Sequence, residues 1–343
     1  ESVVGRCGRP PQARAEAFVI AGDGPGEVHR MEEALLAVNA VVSLARRYGL
    51  QYAHRPLVNV WRGDAAVDFM EPMMGLGRGE LSLVDVYYAA VRFRREQLPT
   101  DPEAADRLIH GYLKRQGEAA GRLDEPVLFY RSGRSLLRDF AESGAWFRAQ
   151  YRCSPLHEME PVFFAPSRWS LAVHYTPDDA LNISISMVET VVALLKRHVR
   201  KVALDGLDIH AFVELQSSEP DAEAINHFEQ LATRLQCPQC TIMIRTYTPD
   251  ISSATLMVLK HLVEADILVP SRSDLSLVAA VLSRQLKVTL PGWLDVNGAV
   301  HLVKAQSPWF GLDTHPVDFD ETEFVEDLFS CFDVPNAKQH RPD

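Results

Sequence analysis

A serine-rich run in the second half of the chain has residue types suited to hold a diphosphate. Residues 271–276 (SRSDLS) follow the short apolar segment 266–269 and precede a predicted helix. Hydroxyls and backbone N–H groups at a helix start can bind phosphate oxygens, and Arg272 can neutralise their charge. The alternative is an ordinary helix N-cap with additional serines. The position of the run after a strand favours a ligand site.

A histidine stands at the end of another predicted strand in the same half. His174 closes the apolar segment 169–175, and Asp178 and Asp179 follow it. Isolated histidines are more often structural, but polar groups at the carboxyl ends of parallel strands commonly face a ligand. His174 is therefore a candidate to face a ligand.

A glycine cluster, residues 22–26 (GDGPG), lies between the first strand and a long helix. A dinucleotide fingerprint would need a differently placed third glycine and an acid about 20 residues on, and residues 51–54 (QYAH) contain no acid. A tight loop at the edge of a cleft is the preferred interpretation. The polar residues 27–30 (EVHR) would then point into that cleft.

The other motifs are weak. Five cysteines include one close pair, Cys237 and Cys240, without the second pair that a zinc site needs, so a local disulfide or free thiols are expected. Residues 318–320 (DFD) match a metal-diphosphate pattern inside an acidic segment, where such matches arise readily. The serine-hydrolase elbow, the zincin helix and the P-loop are absent from the sequence.

The charge distribution excludes two classes of protein. The 343 residues carry 35 bases and 46 acids, but residues 313–343 alone hold nine acids and two bases. A nearly balanced body lacks the basic surface of a nucleic-acid binder or of a polybasic membrane-surface protein. Within the acidic segment, residues 321–332 are predicted to form an amphipathic helix. We expect contact with a membrane only through an N-terminal anchor preceding Glu1.

Apolar runs and amphipathic stretches alternate in the second half, which predicts a doubly wound parallel sheet. The predicted strands are 169–175, 208–215, 241–246, 266–269 and 287–290, and the helices are 187–200, 222–235, 252–264 and 275–282.

The first half begins in the same way. It has a strand at 17–20, a helix at 28–48 ended by Gly49, and a strand at 51–60. Residues 62–150 are predicted to be mostly helical, apart from a strand at 126–130. We expect residues 161–166 (PVFFAP) to close this half. The predicted domains are 1–166, with a helical insertion at 62–150, then 167–312, and an acidic C-terminal helix and tail at 313–343.

Several of these segments together resemble the fucosyltransferase-like glycosyltransferases. In the first half the resemblance rests on residues 24–30 (GPGEVHR), 45–50 (ARRYGL) and 52–57 (YAHRPL). In the second half it rests on residues 171–174 (LAVH), 259–269 (LKHLVEADILV), 271–276 and 279–283 (AAVLS). Each motif alone is short, and their order and spacing carry the resemblance.

The resemblance implies an α/β protein of the GT-B fold, with two Rossmann-like domains facing a cleft. It implies an inverting transferase of the Golgi or ER lumen that moves fucose from GDP-fucose to a glycan or glycoprotein hydroxyl, without metal or another cofactor. The donor-binding candidates are His174, Arg245, Asp266, Ser271, Arg272, Ser273 and Ser276. The acceptor-side candidates are His29 and Arg30, and the candidates for the catalytic base, by position, are Asp23, Glu27 and Asp179.

One departure from the family leaves alternatives open. The family's strand histidine precedes arginines that pair with the donor diphosphate, and residues 175–177 (YTP) stand there instead. Either Arg272 or Arg245 substitutes, or the donor differs, or catalysis is lost. A non-catalytic glycan-binding or scaffold protein is therefore the rival hypothesis, and a Rossmann-type oxidoreductase is the third.

Overall fold

The computed structural model divides the chain into two compact units, Glu1–Glu158 and Met159–Asp343. It describes residues 17–21, 31–55, 71–82, 94–118, 127–131, 139–159, 163–165, 167–177, 179, 181–198, 206–215, 221–249, 253–289 and 309–311. The predicted acidic helix at 321–332 and the sequence 318–320 lie outside these ranges.

Five strands form the sheet of the first unit: β1 (Ala17–Ala21), β2 (Gln51–His54), β3 (Leu81–Ser82), β4 (Arg94–Leu98) and β5 (Val127–Arg131). Their order across the sheet is β3-β2-β1-β5-β4, and every neighbouring pair is parallel. The predicted α/β class of this unit is therefore confirmed. The predicted strand at 51–60 is described only as far as His54.

The stretch 62–150 was predicted to be mostly helical apart from one strand, and its described part is mostly helical but contains three strands of the sheet. β5 was predicted, whereas β3 and β4 were not. β4 is an edge strand with the sequence RREQL, and most of its side chains are exposed. Charged residues on an edge strand prevent edge-to-edge pairing, and they also remove the apolar alternation by which a strand is recognised.

Helices of the first unit begin and end at expected signals. They are α1 (Met31–Tyr48), α2 (Pro102–Glu118), α3 (Asp139–Arg152) and the short α4 (Pro155–Glu158). After α1, Gly49 adopts φ +65°, and the amide of Leu50 donates to the carbonyl of Ala45, as predicted for a glycine C-cap. At the start of α2, the carboxylate of Asp101 accepts a hydrogen bond from the amide of Ala104.

Six strands form the sheet of the second unit: β6 (Trp169–Tyr175), β7 (Leu207–Glu214), β8 (Cys240–Tyr247), β9 (Ile267–Val269), β10 (Leu286–Thr289) and β11 (Trp309–Gly311). Their order is β11-β10-β9-β6-β7-β8, again with all neighbours parallel. The strand order reverses between β6 and β9. In an open parallel sheet, the crevice at such a reversal is where ligands bind.

Among the described residues, four helices join these strands: α5 (Leu181–His198), α6 (Ala222–Leu235), α7 (Ser253–Glu264) and α8 (Asp274–Leu282). Leu171 and Val173 of β6 pack with Val188 of α5 and Phe228 of α6 in the core on one face of the sheet. α5 begins six residues before the predicted Met187. Its first turns contain β-branched and hydroxyl residues, which have low helix propensity, yet Ile185 is buried in this core.

The segment 161–166 does not close the first unit as predicted. Its described residues, 163–165, contact the second sheet: Phe164 is buried beside His210, and the amide of Ala165 donates to Asp208.

Cys237 and Cys240 form a disulfide between α6 and β8. Among the helices that the structure describes, none has both the length and the apolar run needed to cross a bilayer.

Candidate functional site

Polar side chains from four neighbouring strands meet where those strands end. His174 is the penultimate residue of β6, Glu214 and Tyr247 are the last residues of β7 and β8, and residues 271–276 follow β9. The group therefore lies at the carboxyl edge of the sheet and includes the reversal between β6 and β9. The structure brings His174 together with the donor-site candidates Ser271, Ser273 and Ser276.

His174 is the centre of this group. Its Nδ1 atom lies 2.7 Å from the hydroxyl oxygen of Ser276, 2.8 Å from that of Ser271 and 3.2 Å from that of Ser273. Its Nε2 atom lies 2.5 Å from the hydroxyl oxygen of Tyr247. The imidazole therefore joins the serine loop after β9 to the end of β8.

The imidazole of His174 is neutral at pH 7, because burial lowers its pKa to about 3. A neutral imidazole has one donor and one acceptor nitrogen. The hydroxyl of Tyr247 donates to the carboxylate of Glu214 at 3.4 Å, so its oxygen is available to accept from Nε2–H. With Nε2 as the donor nitrogen, Nδ1 is the nitrogen that accepts a serine hydroxyl proton.

The three serines are held by one another's backbone amides. The amide of Ser271 donates to the hydroxyl oxygen of Ser276, that of Ser273 to Ser271, and that of Ser276 to Ser273, the last as the N-cap of α8. Nδ1 of His174 has only one lone pair for their three hydroxyl protons. Ser271 and Ser276 are buried and Ser273 is half-buried, so Ser273 is the hydroxyl best placed to donate to a ligand.

Asp179 fixes the serine loop to the end of β6. One oxygen of its carboxylate accepts from the amide and hydroxyl of Thr176, and the other accepts from the amide of Arg272 at 3.2 Å. Burial raises the pKa of this carboxyl group, and these hydrogen bonds oppose the rise. The three hydrogen bonds give Asp179 a positioning role, while the side chain of Arg272 is exposed at the start of α8.

Two predicted donor residues make their contacts outside the serine loop. Asp266 accepts hydrogen bonds from the amide and hydroxyl of Ser170, four residues before His174 and so about 13 Å towards the amino end of the sheet. Arg245 lies on β8 with its guanidinium 3.9 Å from the ring centre of Phe163. Both residues are therefore part of the packing of the sheet. Asp23, Glu27, His29 and Arg30 lie outside the described residues.

The first unit has a buried polar pair at the end of β2. Nδ1 of His54 lies 2.8 Å from the hydroxyl of Tyr52, and Nε2 lies 3.3 Å from a carboxylate oxygen of Glu71. Gly77, at φ +71°, passes so close to the His54 ring that a Cβ atom at that position would collide with it. Both ring nitrogens of His54 thus face protein groups.

Sequence reasoning missed Tyr247 and Glu214. Both residues lie at the carboxyl ends of their strands, as His174 nearly does. That shared position at the strand ends could have identified them. Across the described ranges, histidine, cysteine and carboxylate side chains form no cluster of three or more suited to a metal ion.

Comparison with known proteins gives structural similarities only. No protein-family model matches the chain, and no curated protein matches it. The fucosyltransferase NodZ from Bradyrhizobium is 13% identical over 78% of this chain and 93% of its own, with a TM-score of 0.39. An α,α-trehalose 6-phosphate synthase from Burkholderia multivorans is 11% identical over 94% of this chain, with a TM-score of 0.34. The chain spans 64% of that synthase.

A UDP-forming trehalose-phosphate synthase from Burkholderia vietnamiensis is 13% identical, with a TM-score of 0.32, and this chain covers 64% of its length. By their names, these three solved structures are a fucosyltransferase and two trehalose-phosphate synthases. At such identities and TM-scores the matches indicate neither activity nor substrate. The fold class rests on the two parallel sheets themselves, each of which agrees with the predicted α/β architecture.

Proposed function

We propose that the second unit binds a nucleotide sugar at the serine loop and that the chain is a glycosyltransferase. The observation that carries the proposal is the placement of His174 and Ser273 at the reversal of strand order between β6 and β9. Ligands of open parallel sheets bind at that place. The sequence resemblance to fucosyltransferase-like enzymes supports the same class of ligand.

The diphosphate of the donor would meet the start of α8. Ser273 offers a half-buried hydroxyl there, Arg272 an exposed guanidinium, and the helix start a partial positive charge. A guanidinium can bind phosphate oxygens in a bidentate manner. Arg272 is therefore the residue that replaces the family's arginines in this proposal, because Arg245 stacks on Phe163.

The finer proposal is that the donor is GDP-fucose, transferred with inversion and without metal to a glycan or glycoprotein hydroxyl. A base must take the proton of that hydroxyl, and the leaving diphosphate needs stabilisation by donors. Because Asp179 already accepts three hydrogen bonds, we expect the base to be Asp23 or Glu27, with His29 and Arg30 on the acceptor side. The disulfide at Cys237 supports a lumenal location, in the Golgi or ER.

A thermal-shift panel with GDP, GDP-fucose, UDP, ADP and NAD tests this proposal. A ligand that binds only the folded protein stabilises it by about 2.7 kcal/mol at a hundredfold excess over Kd. We expect GDP and GDP-fucose to raise the melting temperature by several degrees, and the other three to have smaller effects. A response to UDP alone would indicate a different nucleotide-sugar donor, and a response to NAD alone would indicate an oxidoreductase. No response to any nucleotide would contradict the proposal.

A non-catalytic glycan-binding or scaffold protein is the second candidate. The observation in its favour is Tyr175, which stands where the family has a donor-binding arginine and is buried in the core beside α6. The two candidates differ in turnover. Release of GDP from GDP-fucose in the presence of glycoprotein acceptors supports a transferase, whereas GDP binding without any release supports the second candidate.

A further inference from the structure

A second cluster of polar groups lies in the second unit and takes no part in the proposed donor site. The ring of Phe163 stacks on His261 with 4.4 Å between ring centres, and the guanidinium of Arg245 lies 3.9 Å from the Phe163 ring centre. Phe164 meets His210 edge to face at 4.7 Å. Residues 163–165 are thus held on the sheet by two histidines and an arginine.

The histidines of this cluster are buried with unmet hydrogen bonds. His210 and His261 are fully buried, and neither ring nitrogen of His210 has a hydrogen-bond partner among the described residues. Nδ1 of His261 faces the carbonyl of Met257 at 2.5 Å, and its Nε2 has no partner in the same ranges. Buried polar groups without partners are rare and costly, so two in one place call for an explanation.

Both imidazoles are uncharged at neutral pH, and their surroundings oppose protonation. Burial lowers the pKa of His210 to about 4 and lowers the pKa of His261 as well. Asp208 favours the charged form of His210, but its carboxylate is bound to Arg168 at 2.7 Å. The remaining charged groups that act on the pair are Arg245 and Lys260, which disfavour protonation, and Glu264, which favours it.

We propose that this cluster is an acid-released clasp: the neutral rings of His210 and His261 hold residues 163–165 on the second sheet, and their protonation beside Arg245 releases that segment. A charged His210 ring enclosed by Phe163 and Phe164 would lack both water and an acceptor, and a charged His261 ring would lack an acceptor for its Nε2–H, whereas the released segment lets water reach both rings. Acid thus favours the released state. The segment lies just after the boundary between the two units in the chain.

Hydrogen–deuterium exchange of the whole chain tests the clasp, with a peptide containing Ala165 as the reporter. Its amide donates to Asp208 at 3.3 Å in the closed state. For His210 alone, a pKa of about 4 when closed and 6.5 when released predicts that protection at pH 5.0 is about thirtyfold lower than at pH 7.5, after correction for intrinsic exchange, and His261 adds to this fall. A peptide from α6 reports global unfolding and is expected to stay protected.

Two variants separate titration from packing. His210→Phe keeps an aromatic ring in the cluster but cannot be protonated. We expect the acid-induced fall in protection to shrink to a few-fold in this variant, which is the contribution of His261. His227→Phe on α6 is the matched control and is expected to behave like the wild type. His210→Gln gives the same comparison if His210→Phe fails to fold. The clasp is refuted if the wild type shows no fall, or if the fall persists in the His210 variant.

The clasp and the donor site can fail independently. The exchange experiment contains no nucleotide, and the cluster shares no side chain with the serine loop. Loss of GDP binding therefore leaves the clasp untouched, and an acid-insensitive segment leaves the proposed function untouched.

Discussion

Replacing Arg272 and Ser273 together with alanine is expected to weaken GDP binding by about 100-fold or more. Hydrogen bonds to charged groups contribute about 1.5–3 kcal/mol each, and a neutral hydroxyl contributes about 1 kcal/mol. The exposed guanidinium and the half-buried hydroxyl stand at the start of the same helix. Calorimetric titration of GDP into the wild type and the variant measures the difference.

Two further variants make this result interpretable. Ser273 is the N-cap of α8, and its loss alone costs about 0.5–2 kcal/mol of stability, so Arg272→Ala is measured separately because it keeps the cap. Arg234→Ala removes the same charge from α6, where the arginine pairs with Glu189. It is expected to leave GDP affinity unchanged. Equal affinities in the wild type and the double variant would show that the serine loop does not bind the diphosphate.

Replacing His174 with glutamine is expected to flatten the acid limb of the stability profile. Burial lowers the pKa of His174 to about 3, below the 6.5 of the unfolded chain. The unfolded state therefore binds the proton more tightly, so the stabilisation is complete above pH 6.5 and is lost as the pH falls towards 3. At about 1.4 kcal/mol per unit, this one group removes about 3 kcal/mol between pH 6.5 and 4.

Urea unfolding at pH 7.0, 5.5 and 4.0 measures this effect as a difference between two proteins. A glutamine amide can still donate to Tyr247 and accept from a serine, so we expect a loss of about 1–3 kcal/mol at pH 7. The variant should then lose less stability on acidification than the wild type. His210 and His261 titrate in both proteins and cancel from the comparison. Parallel pH profiles would contradict a buried, neutral His174.

Of the described strands of the second unit, β6 to β10 could be predicted from the sequence and β11 was not. β6 was predicted to the residue and β7 to β10 within about one residue. Burial along the whole length of β6, β7 and β9 makes these strands mostly apolar and so recognisable. α6 was predicted with equal accuracy from its amphipathic pattern. Buried parallel strands and amphipathic helices can thus be recognised from local sequence patterns.

The features that were missed depend on contacts between distant parts of the chain. β4 is a charged edge strand, and only its pairing with β5 makes it a strand. Tyr247 is 73 residues from His174, and no local pattern links them. The sequence 161–166 shows two aromatic residues but cannot show that Phe163 stacks on His261. Local propensity and periodicity do not contain such information.

A crystal structure of the protein with GDP is the direct test of the proposed position of the nucleotide. We expect diphosphate oxygens within hydrogen-bond distance, about 2.7–3.2 Å, of the Ser273 hydroxyl and the Arg272 guanidinium. His174 would remain buried beneath the serines and hydrogen-bonded to Tyr247. A diphosphate bound instead at the glycine loop of residues 22–26, or no nucleotide in crystals soaked at millimolar GDP, would contradict it.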